Sequence, residues 1–367
     1  MRFKFKYPKK TNLLIFDTHK INFLLNYFKK IEYETMSVRY EEINFLILFK
    51  TILTYRFDLR FMQNYILNFI KFVNPKIIVS FIDNNMFFYQ LKNYFPNLKT
   101  VVIQNGLSAQ PFFDKIKNKR NLKVDFAFCW GENTSKKFKK KFNSKTFKIG
   151  SIKNNLVKAR KNIKKNNKRI YLISAFGSRY VNNLDDPIIK KSIEKKTKVI
   201  RLIHNVCSQK KFNLYVLKKT NTLDEELYLK KIFKEKKYFI EKKIDFLSNY
   251  RVCDRNKFFI SFDSAMGFEA LSRGARVLFL NINDFFSINN KKFDILWGSK
   301  LPRNGGFWIS LKKNDLINDK ILFLLDAKEK QWRKEVLKFK QFIDCHDENN
   351  IKFKKFFKKI MRSCHAI

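Results

Sequence analysis

The stretch KFFISFDSAMGFEALSRGARVLFLNI, residues 257–282, has the spacing of a strand–helix–strand unit with chemistry at its turn. A strand over 258–262 ends at Asp263-Ser264, and a helix starts there with Ser264 as a good N-cap. Gly267 falls in the first turn, Glu269 follows, and Gly274 closes the helix as a C′ residue before 275–282 returns as a strand. A helix N-terminus presents free N–H groups and the positive end of the dipole, which favour a phosphate. Gly267 lets a diphosphate approach the backbone closely. The same pattern also serves any α/β unit, in which Glu269 does no more than complement the dipole.

Other polar residues fall at or just past expected strand ends, where open α/β sheets bind ligands. Ala175-Phe176-Gly177-Ser178-Arg179 follows the strand RIYLI. Gly177 and Ser178 can line a diphosphate there, with Arg179 as counter-charge. Lys218 ends NLYVL. Asp17 and His19 follow the first strand, Asp83 and Asn84 the next, and Gln104 and Asn105 the one after. Asp83 also reads as an Asx-turn residue. No D-x-D triplet occurs, so no metal is expected. Asp344-Cys345-His346-Asp347-Glu348 has metal-type side chains, but in a polar C-terminal loop.

The elements that must position these residues alternate. Short apolar runs at 12–17, 76–82, 99–103, 124–131 and 146–151 alternate with helical stretches, including one or two helices over 38–72 that Pro75 stops. The basic, aperiodic segment 158–168 is expected to be a linker. Alternation then restarts over 169–329, and 330–367 reads as C-terminal amphipathic helices. Phe353, Phe356, Phe357, Ile360, Met361 and Cys364 share one face at helical spacing, with lysines over the rest. That face can cover the first domain or dock on an anionic membrane.

The chain has 367 residues, enough for two domains, and 45% of them are hydrophobic, enough for two cores. Lys and Arg number 78 against 32 Asp and Glu, a net charge of +46. Scarce Gly and Pro beside abundant Lys, Asn, Ile and Phe are the bias of an AT-rich genome, so part of this charge is drift on solvated faces. Nucleic acid is not expected as a partner, because no RNA-reading signature accompanies the charge. Five scattered cysteines without a C-x-x-C fit a reduced compartment. No apolar run has the length of a signal peptide or a spanning helix, so a cytoplasmic place is expected, peripheral at the membrane's inner face.

FIDNN (81–85), IQNG (103–106), WGEN (130–133), IGSIKNN (149–155), DSAMGFEALSRGARV (263–277) and GGFWIS (305–310) stand in an order and spacing that resembles a bacterial family of surface-carbohydrate or O-antigen biosynthesis proteins. The S-x-x-G-x-E-A-L-x-x-G core resembles the nucleotide-sugar segment of GT-B glycosyltransferases. The resemblance spans roughly residues 12–312, and ILWGSKLP (295–302) departs from the Gly-Trp-Pro-like segment expected there. It implies an α/β fold of two Rossmann-like domains, 1–157 and 169–329, facing a cleft. It implies a nucleotide-sugar as substrate rather than a cofactor, and a saccharide or lipid-linked acceptor. Gly177, Ser178, Arg179, Lys218, Ser264, Gly267 and Glu269 then belong to the donor. Asp17, Asn84, Gln104 and Asn105 belong to the acceptor side, with Asp83 as first choice of general base and His19 as second. A nucleotide-sugar epimerase of the same fold is the first alternative. A basic RNA- or membrane-binding protein with an inactive cleft is the other.

Overall fold

The computed structural model describes residues 1–39, 41–106, 110–159, 166–174, 176, 186–220, 222–234, 236–262, 264–281, 304–310 and 316–364. The chain forms two compact units. One comprises 1–108, 112–156 and 347–367; the other comprises 109–111 and 157–346. The first carries β1 (Arg2–Lys4), β2 (Leu13–Phe16), β3 (Tyr33–Met36), β4 (Glu42–Asn44), β5 (Ile77–Ser80), β6 (Lys99–Ile103), β7 (Phe126–Cys129) and β8 (Lys145–Lys148). The second carries β9 (Asn166–Ile173), β10 (Asn213–Leu217), β11 (Phe239–Ile240), β12 (Asn256–Ser261), β13 (Arg276–Asn281) and β14 (Trp308–Ser310).

Among the described residues each unit holds one six-stranded sheet, ordered β3-β2-β5-β6-β7-β8 in the first and β11-β10-β9-β12-β13-β14 in the second. Every pairing in both is parallel. Parallel strands need helical crossovers on the sheet faces, so both faces are buried and the strands read as continuous apolar runs. In the first unit Leu14, Phe16, Ile78 and Val102 pack on one side, with the helix Phe61–Val73. Leu13, Ile15, Ile77 and Val79 pack on the other. The chain-order direction reverses between β2 and β5 in one sheet and between β9 and β12 in the other. A crevice opens at the carboxyl ends of the strands at such a switch point.

The helix Phe61–Val73 ends at Asn74, whose φ of 52° is left-handed, and Pro75 follows. The expected helical region 38–72 contains two helices, Phe45–Leu53 and Phe61–Val73, preceded by β4. β3 has no long apolar run; its intermediate burial is that of an edge strand. Two boundaries differ from expectation. β9 starts at Asn166, inside the segment expected to be linker, because Asn166 already pairs with Asn256 of β12; residues 160–165 lie outside the described residues. The region 330–364 is not continuously helical. The helix Glu329–Leu337 belongs to the second unit, and Ile351–Ser363 belongs to the first.

That last helix settles the choice left open for its aromatic face. Phe353, Phe357, Ile360 and Met361 are buried with Leu13, Ile15, Leu24 and Phe28, and Phe356 and Cys364 flank them. Of the two roles open to it, covering the first domain is the one observed, and the face is inside the protein. A pair of buried asparagines anchors the helix start. Asn155 donates to the Ile149 carbonyl (2.7 Å) and to Asn350 Oδ1 (2.8 Å), while its own Oδ1 accepts the Asp347 N–H (2.9 Å). Asn350 donates to Tyr27 Oη (2.7 Å) and the Ile152 carbonyl (3.0 Å).

Candidate functional site

In the second unit the switch point lies between β9 and β12. β12 ends at Ser261, and the helix Ala265–Ser272 begins beside it. Ser264 caps that helix as its type and place dictate, its Oγ accepting the Met266 N–H at 3.3 Å. Gly274, at φ 78°, closes it, and the Ala275 N–H reaches back to the Ala270 carbonyl (3.1 Å). The result is an eight-residue helix with its positive end at the carboxyl edge of the sheet.

Gly267 has a different reason from the one the sequence offered. A Cβ there would lie 2.6 Å from Ser261 Oγ and 2.9 Å from the Phe279 ring, so glycine lets the helix sit close on β12 and β13. The space it leaves is filled by protein. Its N–H also donates to the Ser264 carbonyl (3.0 Å). A larger side chain at this position would therefore strike packing first.

Glu269 is buried and accepts the Tyr250 hydroxyl at 3.1 Å. Asp344 Oδ2 is buried without a hydrogen-bond partner, and burial, then the charge of Glu269, pushes that carboxyl up to about 8. Arg273, one turn beyond Glu269, donates to both oxygens of buried Asp254 (2.9 and 2.6 Å) and to the Val157 carbonyl (3.0 Å), and it contacts His346 Nε2 (3.1 Å). Tyr250 and Asp344 were not foreseen as neighbours of Glu269, because they come from separate segments with no shared local pattern, whereas Arg273 lies one turn along the same helix. Lys218 is buried and paired with Glu226 (2.9 Å). Ser174, at the end of β9, accepts the Phe176 N–H (3.3 Å), and Lys219 Nζ reaches the Phe176 carbonyl (3.2 Å). Gly177, Ser178, Arg179 and Asp263 lie outside the described residues, as does 295–302.

In the first unit the switch point between β2 and β5 gathers several of the expected residues. Asp17 follows β2 with φ 70° and is fully buried. Its Oδ1 accepts the His19 N–H (3.0 Å), and its Oδ2 pairs with Arg39 (2.8 Å). Arg39 comes from the turn after β3 and carried no signal of its own. Burial, then the charges of Arg39 and Lys20, holds the exposed His19 imidazole below its ordinary 6.5, so it is a free base at neutral pH. Ser37 donates to Glu41 (2.6 Å) and holds that carboxyl below its usual range. Across the switch point, Asp83 sits half-buried in the turn after β5, with its carbonyl accepting the Tyr89 hydroxyl (2.7 Å). Asn84 beside it is exposed.

Gln104 and Asn105, at the end of β6, differ from one another. The Gln104 side chain is committed to protein: Oε1 accepts the Trp130 N–H (2.7 Å) and Nε2 donates to the Gly106 carbonyl (2.8 Å). It joins the ends of β6 and β7. Asn105 Oδ1 is buried and unpartnered, which costs about 1–3 kcal/mol unless a ligand or water donates to it.

Comparison with known proteins follows this geometry. A family model described as "putative O-antigen biosynthesis protein" matches residues 101–361. No curated protein matches the chain. Solved structures share its fold over nearly the whole length. MnaA of S. aureus, solved with UDP, has a TM-score of 0.54 at 14% identity, covering 100% of this chain and 97% of that one. A putative UDP-N-acetylglucosamine 2-epimerase from Listeria monocytogenes has a TM-score of 0.53 at 14% identity, covering 98% of each chain. The wall teichoic acid polymerase TagF, soaked with CDPG, has a TM-score of 0.52 at 10% identity, covering 97% of this chain and 89% of that one. At these identities the likeness establishes the fold: two parallel-sheet, Rossmann-like domains of the GT-B kind.

Proposed function

The chain belongs to this O-antigen biosynthesis family, and from that membership and its two furnished switch points we propose that it transfers a sugar from a nucleotide-sugar donor to a saccharide or lipid-linked acceptor in building a bacterial surface polysaccharide. The observation that carries the reading is the Ser264-capped helix at the β9/β12 switch point, where N–H groups and the helix dipole suit a diphosphate. Similar proteins solved with UDP or CDPG support a nucleotide ligand for this fold.

In this reading the donor's diphosphate lies at this helix start, met by its N–H groups. As the sugar–phosphate bond breaks, negative charge grows on the leaving diphosphate, and fixed dipoles and cations stabilise it without a metal. The acceptor hydroxyl must lose its proton as its oxygen bonds to the sugar carbon. Asp83 or His19 takes that proton, with Asp17 and Arg39 fixing the backbone around His19. Asn105 Oδ1 is placed to accept from an acceptor hydroxyl.

The test is nucleotide release from a labelled nucleotide-sugar, with and without a lipid-linked saccharide fraction. Transfer requires release to depend on the acceptor and label to appear in the lipid fraction. The second reading, an epimerase, draws on two of the structural neighbours, the L. monocytogenes protein and the UDP-GlcNAc 2-epimerase of Methanocaldococcus jannaschii. Acceptor-independent conversion of the nucleotide-sugar would establish that instead.

A further inference from the structure

We propose that the first unit docks on an anionic lipid surface through the outer face of the helix Phe45–Leu53 and the N-terminal arm beside its start. The inference does not depend on which reaction the protein performs.

The helix Phe45–Leu53 is amphipathic in reverse. Its inner positions Ile47 and Thr51 are buried, and Asn68 of the helix Phe61–Val73 donates to Thr51 Oγ1 (3.3 Å), so this side is already packed. Yet the outer positions are also apolar. Phe45 is 44% exposed, Phe49 57%, Ile52 59% and Leu53 70%. At i, i+4, i+7 and i+8 they form one stripe. The stripe continues at its start. β1 pairs with β4, which brings Phe5, itself 67% exposed, to 5.4 Å from the Phe45 ring. Past the helix, Phe57 is 92% exposed. Single exposed apolar residues are ordinary, but a contiguous stripe of this size marks a contact surface.

The charges choose the occupant. Residues 1–10 contain five Lys or Arg and no Asp or Glu, and residues 45–61 contain three against Asp58. Lys4 is paired with Glu42 and Arg56 with Asp58, which leaves Arg2, Lys6, Lys9, Lys10, Lys50 and Arg60 as the cations in excess. The core of a protein–protein interface is depleted in lysine. Aromatic and aliphatic side chains rimmed by cations are instead what an interface of anionic headgroups and acyl chains takes up. Among the described residues no helix is long and apolar enough to cross a membrane, so this is contact at a surface.

The experiment is co-sedimentation of the full chain with phosphatidylglycerol vesicles and with phosphatidylcholine vesicles, at low and high salt. The comparison variant is Phe49→Ser with Leu53→Ser. Both positions are exposed and outside the proposed machinery, and the double substitution leaves the charge unchanged. Binding by net charge alone would therefore survive it. Wild type is expected to sediment with phosphatidylglycerol, weakly with phosphatidylcholine, and less at high salt. The variant is expected to bind at least tenfold more weakly at unchanged Tm. Three results would overturn the proposal: no sedimentation of wild type at low salt; equal binding by wild type and variant; or a wild-type dimer that ignores vesicles and that the variant turns into a monomer, which assigns the face to a second copy.

Discussion

At the scale of single residues, His19 and Asp83 make distinguishable demands. The His19 imidazole is held below its ordinary value, so if it takes the acceptor proton, the acid limb of kcat/KM lies at lower pH than an ordinary histidine would give. His19→Gln should then remove that acid limb and cost about 10²–10⁴ in rate. Asp83→Asn should cost a similar factor if the carboxylate is the base, with donor affinity little changed. Equal loss of rate and donor affinity would instead assign Asp83 to architecture. A second titration concerns stability. Asp344, pushed up to about 8, is protonated in the folded protein at neutral pH and ionised when unfolded. Its folded pKa is raised, so its contribution is present at low pH and is lost as pH rises toward 8. Asp344→Asn mimics the protonated group, so the variant's Tm relative to wild type should rise between pH 5 and pH 8.5; a constant difference would contradict the burial. The residue types at these sheet ends were legible, since strands ending in Asp, Asn or Ser mark ligand edges. What those residues touch was not. Gln104 and Asn105 are adjacent amides at the end of one strand, yet one is committed to Trp130 and the other's oxygen is unpartnered.

At the scale of elements, the unit 257–282 was readable because caps and periodicity are local: Ser264 and Gly274 sit where expected. The packing reason for Gly267 was not readable, because its neighbours, Ser261 and Phe279, come from strands that only the fold brings close. Gly267→Ala is expected to lower stability by about 1–3 kcal/mol through overpacking, visible in the Tm. The C-terminal helix was legible as amphipathic, but periodicity does not say whether protein or lipid covers the apolar face. Truncation after Glu348 removes Phe353, Phe357, Ile360 and Met361 from the first unit's core. At about 1.5–3 kcal/mol per large apolar side chain this approaches the whole stability of a domain, so the truncated chain should fail to fold. Asn155→Ala tests the same docking more gently. It strands the buried Asp347 N–H and Asn350 Oδ1, at about 1–3 kcal/mol each, and should lower Tm without changing secondary structure.

At the scale of the molecule, alternation of strands and helices was enough to read two parallel, helix-covered sheets. The strand orders were not readable, because order depends on crossovers between segments far apart in sequence. The net charge of +46 points to anions in general, while the exposed stripe beginning at Phe45 is the place proposed for one class of them. The central claim is that the second unit binds a nucleotide-sugar, and thermal melting of the full chain against UDP-, GDP-, CDP- and TDP-sugars tests it most directly. A ligand bound only to the folded state at 100 times its Kd stabilises by about 2.7 kcal/mol, or about 5–10 °C in Tm for a domain of this size. One nucleotide class is expected to give such a shift, saturating with concentration, while free sugars give none; a Tm unmoved by every nucleotide-sugar at millimolar concentration would contradict the claim.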